Sequence, residues 1–266
     1  MIKMIVLDID GTILGKSLKL TQNLKDCFAK IMQKGIKIVL ATGRMYRAAV
    51  YIAEELKLDT PIICSQGGCV RNFNGNDDML REVLLPQSTV SELLETIKEK
   101  NIHINLYAND TLYVENDNDI IKRYIVHSKV PYQVVENLDA LHFEGYEKVL
   151  AINYDPEKID TLGKLLQKKY EGKLYIINST PHFCEISNIK ATKGEAVKFL
   201  ADMWGIKKDE IMAIGDQNND IEMLLAAGTK IAMGNAVQAL KDVADFVTLD
   251  VEEDGVCHAI EKYITM

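Results

Sequence analysis

At 266 residues, with 47% hydrophobic and 26% charged, the chain has the composition of a globular protein of one large or two modest domains. Its 31 basic and 39 acidic residues give a formal net charge of −8, which argues against a broad nucleic-acid or anionic-membrane surface. No apolar run reaches the roughly 18–20 residues of a membrane span, the first strand meets carboxylates too soon for a signal peptide, and the 5 cysteines, odd in number and without CxxC spacing, read as reduced thiols of a cytoplasmic protein.

Residues 2–7 are apolar except Lys3 and predict a buried strand. Leu20, Leu24, Phe28, Ile31 and Met32 stand at helical spacing, and Gly35 stops that helix. A second strand runs through IKIVLATGR to Thr42 and Gly43, and a helix follows over 45–57. PIICSQGG predicts a third strand into a glycine turn. Strand and helix alternate, which implies βαβ units and a parallel sheet. From about residue 82 to 187 the strands (INLYAND, LYVEN, YQVVEN, KVLAINY, KLYIINS) alternate in polarity, with helices at 88–100 and 156–170. That mixture predicts an inserted α+β unit with an antiparallel sheet. After residue 188 the first pattern returns, with a helix over KGEAVKFLADMWG and a strand over EIMAIGD. NNDIEMLLAAG then predicts a helix, TKIAMGN a strand and DFVTL an edge strand. The fold class is therefore α/β: a Rossmann-like core of residues 1–82 and 188–266, split by an inserted domain of residues 83–187.

In an open parallel sheet, ligands bind beyond the carboxyl ends of the strands. Strand ends here supply Asp8 and Asp10, then Thr42 and Gly43, then Ser65, Gln66 and Gly67, then Asp216 with Asn219 and Asp220. Asp8 and Asp10, two apart in an extended segment, point to one side. Like charges so placed need a cation or a shared proton. With Asp216 they make a hard-oxygen set that suits Mg²⁺ better than zinc. Alone, the pair is also compatible with an Asx turn before Gly11, the lesser of the two readings. Thr42, Gly43 and Arg44 fit either a helix cap or an anion site. Lys193 opens a helix, an end the dipole reserves for anions, so a lysine there makes sense if it must reach a phosphate. Asp220, one helical turn beyond Asp216, faces the same way.

Gly11, Gly15, Lys16 and Ser17 approach a P-loop but leave three residues between the glycines where four are needed. Lys16 and Ser17 then belong to an exposed turn. Asn116–Asp119 lacks the glycine and terminal Glu of a calcium loop and reads as a solvated loop. The scattered His give no zinc site.

The order DxDGT (8–12), ATGR (41–44), Lys193-Gly194 and GDxxND (215–220) resembles the haloacid dehalogenase superfamily, and most nearly its Cof-type phosphatases with a large inserted α/β cap. That resemblance implies Asp8 as nucleophile forming an aspartyl-phosphate and Asp10 as general acid and base. It implies Mg²⁺ held by the Asp8 and Asp216 carboxylates and the Asp10 carbonyl. Thr42, Gly43, Lys193 and Asn219 would contact the phosphoryl group, and Asp220 would steady Lys193 or the metal shell. Gln66-Gly67-Gly68 departs from the usual Asn-Gly-Ala of that turn. The cap segment 180–185 returns towards the core, so His182 and Glu185 are candidate substrate selectors. Arg44 and Arg47 suit either a second acidic group or solvent. The expected partner is a small phosphorylated metabolite, with no nucleic acid or membrane involved and the oligomeric state left open. A sugar phosphomutase and a non-catalytic metabolite-binding regulator are the alternative readings.

Overall fold

The computed structural model describes residues 1–73, 75, 77–128 and 130–264, with residue 127 described by its backbone. The expected domain ranges include five positions outside these.

The first third of the chain contains β1 (Met4–Leu7), α1 (Gln22–Gln33), β2 (Lys37–Leu40), α2 (Tyr46–Glu55), β3 (Ile62–Cys64), β4 (Cys69–Arg71) and β5 (Met79–Glu82). Next come α3 (Gln87–Lys98), β6 (His103–Ala108), β7 (Thr111–Val114), α4 (Asp119–Ser128), β8 (Tyr132–Val134), β9 (Lys148–Ile152), α5 (Pro156–Lys169), β10 (Leu174–Thr180) and β11 (Phe183–Asn188). The last part is α6 (Lys193–Trp204), β12 (Ile211–Gly215), α7 (Ile221–Ala226), β13 (Thr229–Ala232), α8 (Gln238–Lys241), β14 (Phe246–Val247) and α9 (Gly255–Tyr263).

Five strands form a parallel sheet in the order β14-β13-β12-β1-β2. β1 and β12 are buried throughout, so their sequences read as continuous apolar runs. Local chemistry sets the helices around them. In α1, the Thr21 hydroxyl accepts the Leu24 N–H (3.1 Å), and Leu24, Cys27, Phe28 and Ile31 form the buried stripe. The five cysteines are free and buried. Among the described residues, no helix is long and apolar enough to cross a membrane.

The third strand differs from expectation. β3 meets the parallel sheet through one bridge, Ala41 to Ile63, and otherwise pairs antiparallel with β4, which pairs with β5. The Ser65–Gly67 turn reverses the chain before a longer parallel ladder can form. Gly67 sits at φ +98°, and a Cβ there would lie 2.1 Å from the Thr192 carbonyl oxygen, just before α6. Gly67→Ala is therefore expected to destabilise by about 3 kcal/mol or more, through strain and overpacking. Urea unfolding of the purified variant measures it.

The second sheet has the order β10-β11-β9-β6-β7-β8. It is antiparallel, as expected, except that β7 and β8 are parallel. That pair is joined through α4, and a helical crossover permits the parallel arrangement. α4 is a third helix beyond the two expected in this region. The segment read as a solvated loop ends in its cap, where Asn118 Oδ1 accepts the Ile120 and Ile121 N–H groups (3.0 and 3.1 Å). The segment 180–185, read as a returning connection, continues into β11.

One apolar cluster fills the parallel sheet and its helices, and another lies between the second sheet and α3 and α5. A third joins Met45 and Ala48, at the start of α2, to Tyr107, Leu112, Leu150 and Ile152 of the second sheet. It holds the open face of that sheet against the loop carrying Thr42 and Gly43.

Candidate active site

Asp8 leaves β1 with its N–H still bonded to the Ile214 carbonyl (3.1 Å), so the sheet edge fixes its position. Lys193, the first residue of α6, reaches Asp8 Oδ1 at 2.5 Å and Asp220 Oδ1 at 2.6 Å with its side chain fully buried. Asp220 Oδ2 accepts the backbone N–H groups of Asp216 and Gln217 (2.9 and 3.0 Å). Asp216 accepts the Thr12 hydroxyl and the Gln217 amide, each at 3.0 Å. One carboxylate oxygen from each of Asp8, Asp216 and Asp220 lies within 4.8 Å of the others.

Three buried acids thus share one lysine. Burial pushes Asp8 well above the carboxylate range; Lys193 opposes this, and Asp220, Asp216 and Asp10 reinforce it. Burial and then Asp220 push Asp216 up to about 7. Burial works against the charge on Lys193, but Asp220 and Asp8 outweigh it and hold the ammonium charged. Asp220 has Lys193 and two backbone N–H groups, whereas Asp216 meets only neutral donors and Asp8 shares the one ammonium, so the uncompensated charge rests on Asp8 and Asp216. That pair fits a hard divalent cation, which would reverse both upward shifts. In the turn that follows, the Leu14 N–H goes to the Ile9 carbonyl and the Gly11 N–H to Leu14, so the Asp10 carbonyl stays outside that bridge.

Around this floor, Arg44 grips the Asp10 carboxylate with two N–H groups, at 2.7 and 2.5 Å. Thr42 is buried, and its hydroxyl accepts the Arg44 N–H (3.1 Å). Gly43 permits the approach of Gln66, whose Nε2 would lie 2.5 Å from a Cβ at that position. Gln66 accepts the Asn219 amide (2.9 Å) and adopts φ +61°.

These groups open onto a cavity of about 490 Å³ between the two sheets, lined by Asp8, Asp10, Thr42, Gly43, Gln66 and Asn219 on one side. Lys148, Leu150, Phe183 and Glu185 of β9 and β11 line the other. The Lys148 ammonium donates to Glu185 Oε2 and to the Gly43 carbonyl, each at 2.8 Å. Burial opposes both charges of this pair, yet Lys148 holds Glu185 below its usual range, and Glu185 with Tyr124 raises Lys148. A second tie runs from the Ser65 hydroxyl to Glu147 Oε2 (2.9 Å).

Asp8, Asp216, Lys193 and Asp220 therefore form one buried cluster. Asp10, Thr42, Gly43 and Asn219 stand beside it on the cavity wall. Arg44 is paired with Asp10, and Arg47 with Asp110 at 3.4 Å. His182 and Glu185 both line the cavity, the latter already paired with Lys148. Lys16 and Ser17 are exposed, as the failed P-loop spacing implies. Sequence reasoning missed Lys148, Arg123, Tyr124 and Tyr154 on the wall formed by the second sheet and α4. The one available signal was a charged pair, Glu147-Lys148, heading an apolar strand.

The fold and this edge of carboxylates define a hydrolase class. Residues 5–260 match the haloacid dehalogenase-like hydrolase family, and the chain belongs to it. It is 30% identical to the putative phosphatase YxeH of Bacillus subtilis, over 99% of both chains. It is 27% identical to the 5-amino-6-(5-phospho-D-ribitylamino)uracil phosphatase YwtE of the same organism, over 99% of this chain and 98% of that one. The crystal structure of TM0651 from Thermotoga maritima superposes with a TM-score of 0.84 at 31% identity, covering 100% of this chain and 99% of the other. Within the family, this protein is a phosphatase.

Proposed function

We propose that the enzyme hydrolyses small phosphate monoesters, sugar phosphates or phosphorylated cofactors, through an aspartyl-phosphate on Asp8, with Mg²⁺ bound. One observation carries the reading. Asp8 lies at the sheet edge on the cavity floor, with Lys193 behind it and Thr42 and Gly43 beside it. In this reading residues 1–82 and 188–266 are the catalytic core, and 83–187 are a cap that encloses the substrate.

An Asp8 oxygen attacks phosphorus while the bond to the leaving oxygen breaks, and Asp10 gives that oxygen a proton. Both Asp10 oxygens sit in the Arg44 fork, so proton transfer requires the fork to open. Asp10 then takes a proton from the water that attacks the aspartyl-phosphate, which frees phosphate and restores Asp8. Thr42 and the Gly43 amide bind phosphoryl oxygens. Asn219 adds a hydrogen bond, and Lys193 offsets charge on Asp8 and the phosphoryl group. The Asp8 and Asp216 carboxylates and the Asp10 carbonyl would hold Mg²⁺, which screens nucleophile from phosphate. Asp220 orients Lys193 and the backbone of Asp216.

Phosphate release from a panel of phosphomonoesters, with Mg²⁺ or with EDTA, tests the reading. The panel includes hexose phosphates and 5-amino-6-(5-phospho-D-ribitylamino)uracil. Chelation is expected to reduce release at least a hundredfold, and metal-independent turnover overturns the mechanism. An isomer accumulating in place of free phosphate assigns a mutase instead.

A further inference from the structure

The cavity leaves part of its polar lining unused. Among the described residues, six buried side-chain atoms have no hydrogen-bond partner, and four of those residues, Gln66, Ser128, His182 and Asn219, line this one cavity. Buried polar groups are ordinarily paired, so a concentration of orphans in one cavity points to a polar occupant. Gln66 and Asn219 stand at the phosphate end. Ser128 and His182 belong to the cap.

The charges on the wall show the same imbalance. Arg44 is paired with Asp10 and Lys148 with Glu185. Asp8 is held by Lys193. That leaves Arg123 of α4, which among the described residues has no carboxylate within ion-pair distance. Its guanidinium lies 4.5 Å from the centroid of the Tyr154 ring, and that ring lies 5.5 Å from the His182 ring. Stacking of this kind fixes the plane of a guanidinium and leaves its N–H fork free for an oxyanion.

Strand geometry sets how far this cation stands from the chemistry. Lys148, at the start of β9, touches Gly43. Ile152, at the other end of β9, pairs with Phe183, and the Asn153 N–H bonds the His182 carbonyl (3.1 Å). Four strand residues span about 13 Å. The wall thus runs from Lys148 and Glu185 beside the phosphate loop, past Leu150 and Phe183, to the Tyr154–His182–Arg123 end.

We propose that Arg123 forms a second anion subsite, and that the substrate is an elongated phosphomonoester whose far end carries an oxyanion, either a carboxylate or a second phosphate. His182, in the same ring stack, supplies a hydrogen bond at that end, and Ser128, further along α4, supplies one on the way to it. The proposal rests on the phosphatase reading and narrows its substrate class.

The test uses p-nitrophenyl phosphate as reporter substrate in Mg²⁺, with three open-chain competitors of equal carbon length: glucitol 6-phosphate, gluconate 6-phosphate and glucitol 1,6-bisphosphate. At least one oxyanion-tailed competitor is expected to inhibit the wild type at least tenfold more tightly than glucitol 6-phosphate, and the stronger of the two identifies the terminal group. In Arg123→Gln that advantage is expected to fall below threefold. Equal inhibition by all three in the wild type, or an advantage undiminished in Arg123→Gln, overturns the subsite. Failure of the wild type to hydrolyse the reporter is a different result, and it overturns the phosphatase reading beneath it. Arg123 is exposed on its helix, so the variant keeps the fold.

Discussion

Asp8→Asn is expected to lower phosphate release by about 10⁴-fold or more while leaving the metal-free protein at least as stable as wild type. An amide of the same shape cannot act as the nucleophile, so the two-step route closes. Stability moves the other way for an electrostatic reason. Asp8, Asp216 and Asp220 share the single buried ammonium of Lys193, and burial raises the Asp8 pKa well above normal. A raised carboxyl pKa means that the folded state disfavours the charged form, so ionised Asp8 costs folding free energy without a cation. The neutral amide removes that cost, and Lys193 keeps Asp220 at 2.6 Å. Added Mg²⁺ separates the two proteins. At about 100 times its dissociation constant a ligand stabilises by about 2.7 kcal/mol, which for a chain of this size raises Tm by about 5–10 °C. The wild type is expected to show that rise and Asp8→Asn to lose most of it. Unimpaired turnover in the variant, or an equal rise in Tm, would remove Asp8 from both roles.

The parallel half of the fold was legible because its central strands are buried on both faces. Such strands read as unbroken apolar runs, and their ends stand out when the run stops at Asp8, Thr42 or Asp216. The carboxylate cluster was legible for the same reason, since topology alone brings the carboxyl ends of β1, β2 and β12 to one edge. The hairpin of β4 and β5 was not, because β5 is short, has no buried residue and carries no alternation to detect. β11 was hidden by its two faces. Cys184 and Ile186 turn into the helix-covered core, while Phe183 and Glu185 turn into the cavity. A glutamate on a buried strand reads as a connection until its partner is known. That partner, Lys148, lies 37 residues earlier, and no local pattern links the two. The Arg44–Asp10 fork and the Gln66–Asn219 contact were invisible for the same reason.

Lys148→Met is expected to cost about 3–5 kcal/mol of stability at pH 7, the range for leaving one member of a buried ion pair uncompensated. Lys148 and Glu185 are 3% and 7% exposed, so water gives little relief. The variant also loses the donor to the Gly43 carbonyl and an ammonium 4.8 Å from the Tyr107 ring centroid. The pH dependence separates charge loss from poor packing. In the wild type, Lys148 holds the Glu185 pKa below its ordinary value of 4.5, against the effect of burial. Its contribution is present above that value and is lost as pH falls through the folded pKa. Lys148 is raised above 10.5, so its contribution is present below that value and is lost only as pH rises through the folded pKa. Between those limits the pair contributes a constant amount. Without Lys148, burial outweighs the remaining polar contacts of Glu185 and raises its pKa. The folded state then binds the extra proton, and stability falls as pH rises through that raised value. Lys148→Met is therefore expected to unfold at higher urea at pH 5 than at pH 8, whereas the wild-type pair contributes equally at both. The double variant Lys148→Met/Glu185→Gln is expected to lose that pH slope and recover part of the stability, because no buried charge remains to be satisfied. A single variant that loses less than about 1 kcal/mol, or the same amount at both pH values, would mean that the pair is solvated in solution and does not brace the Thr42–Gly43 loop from the second sheet.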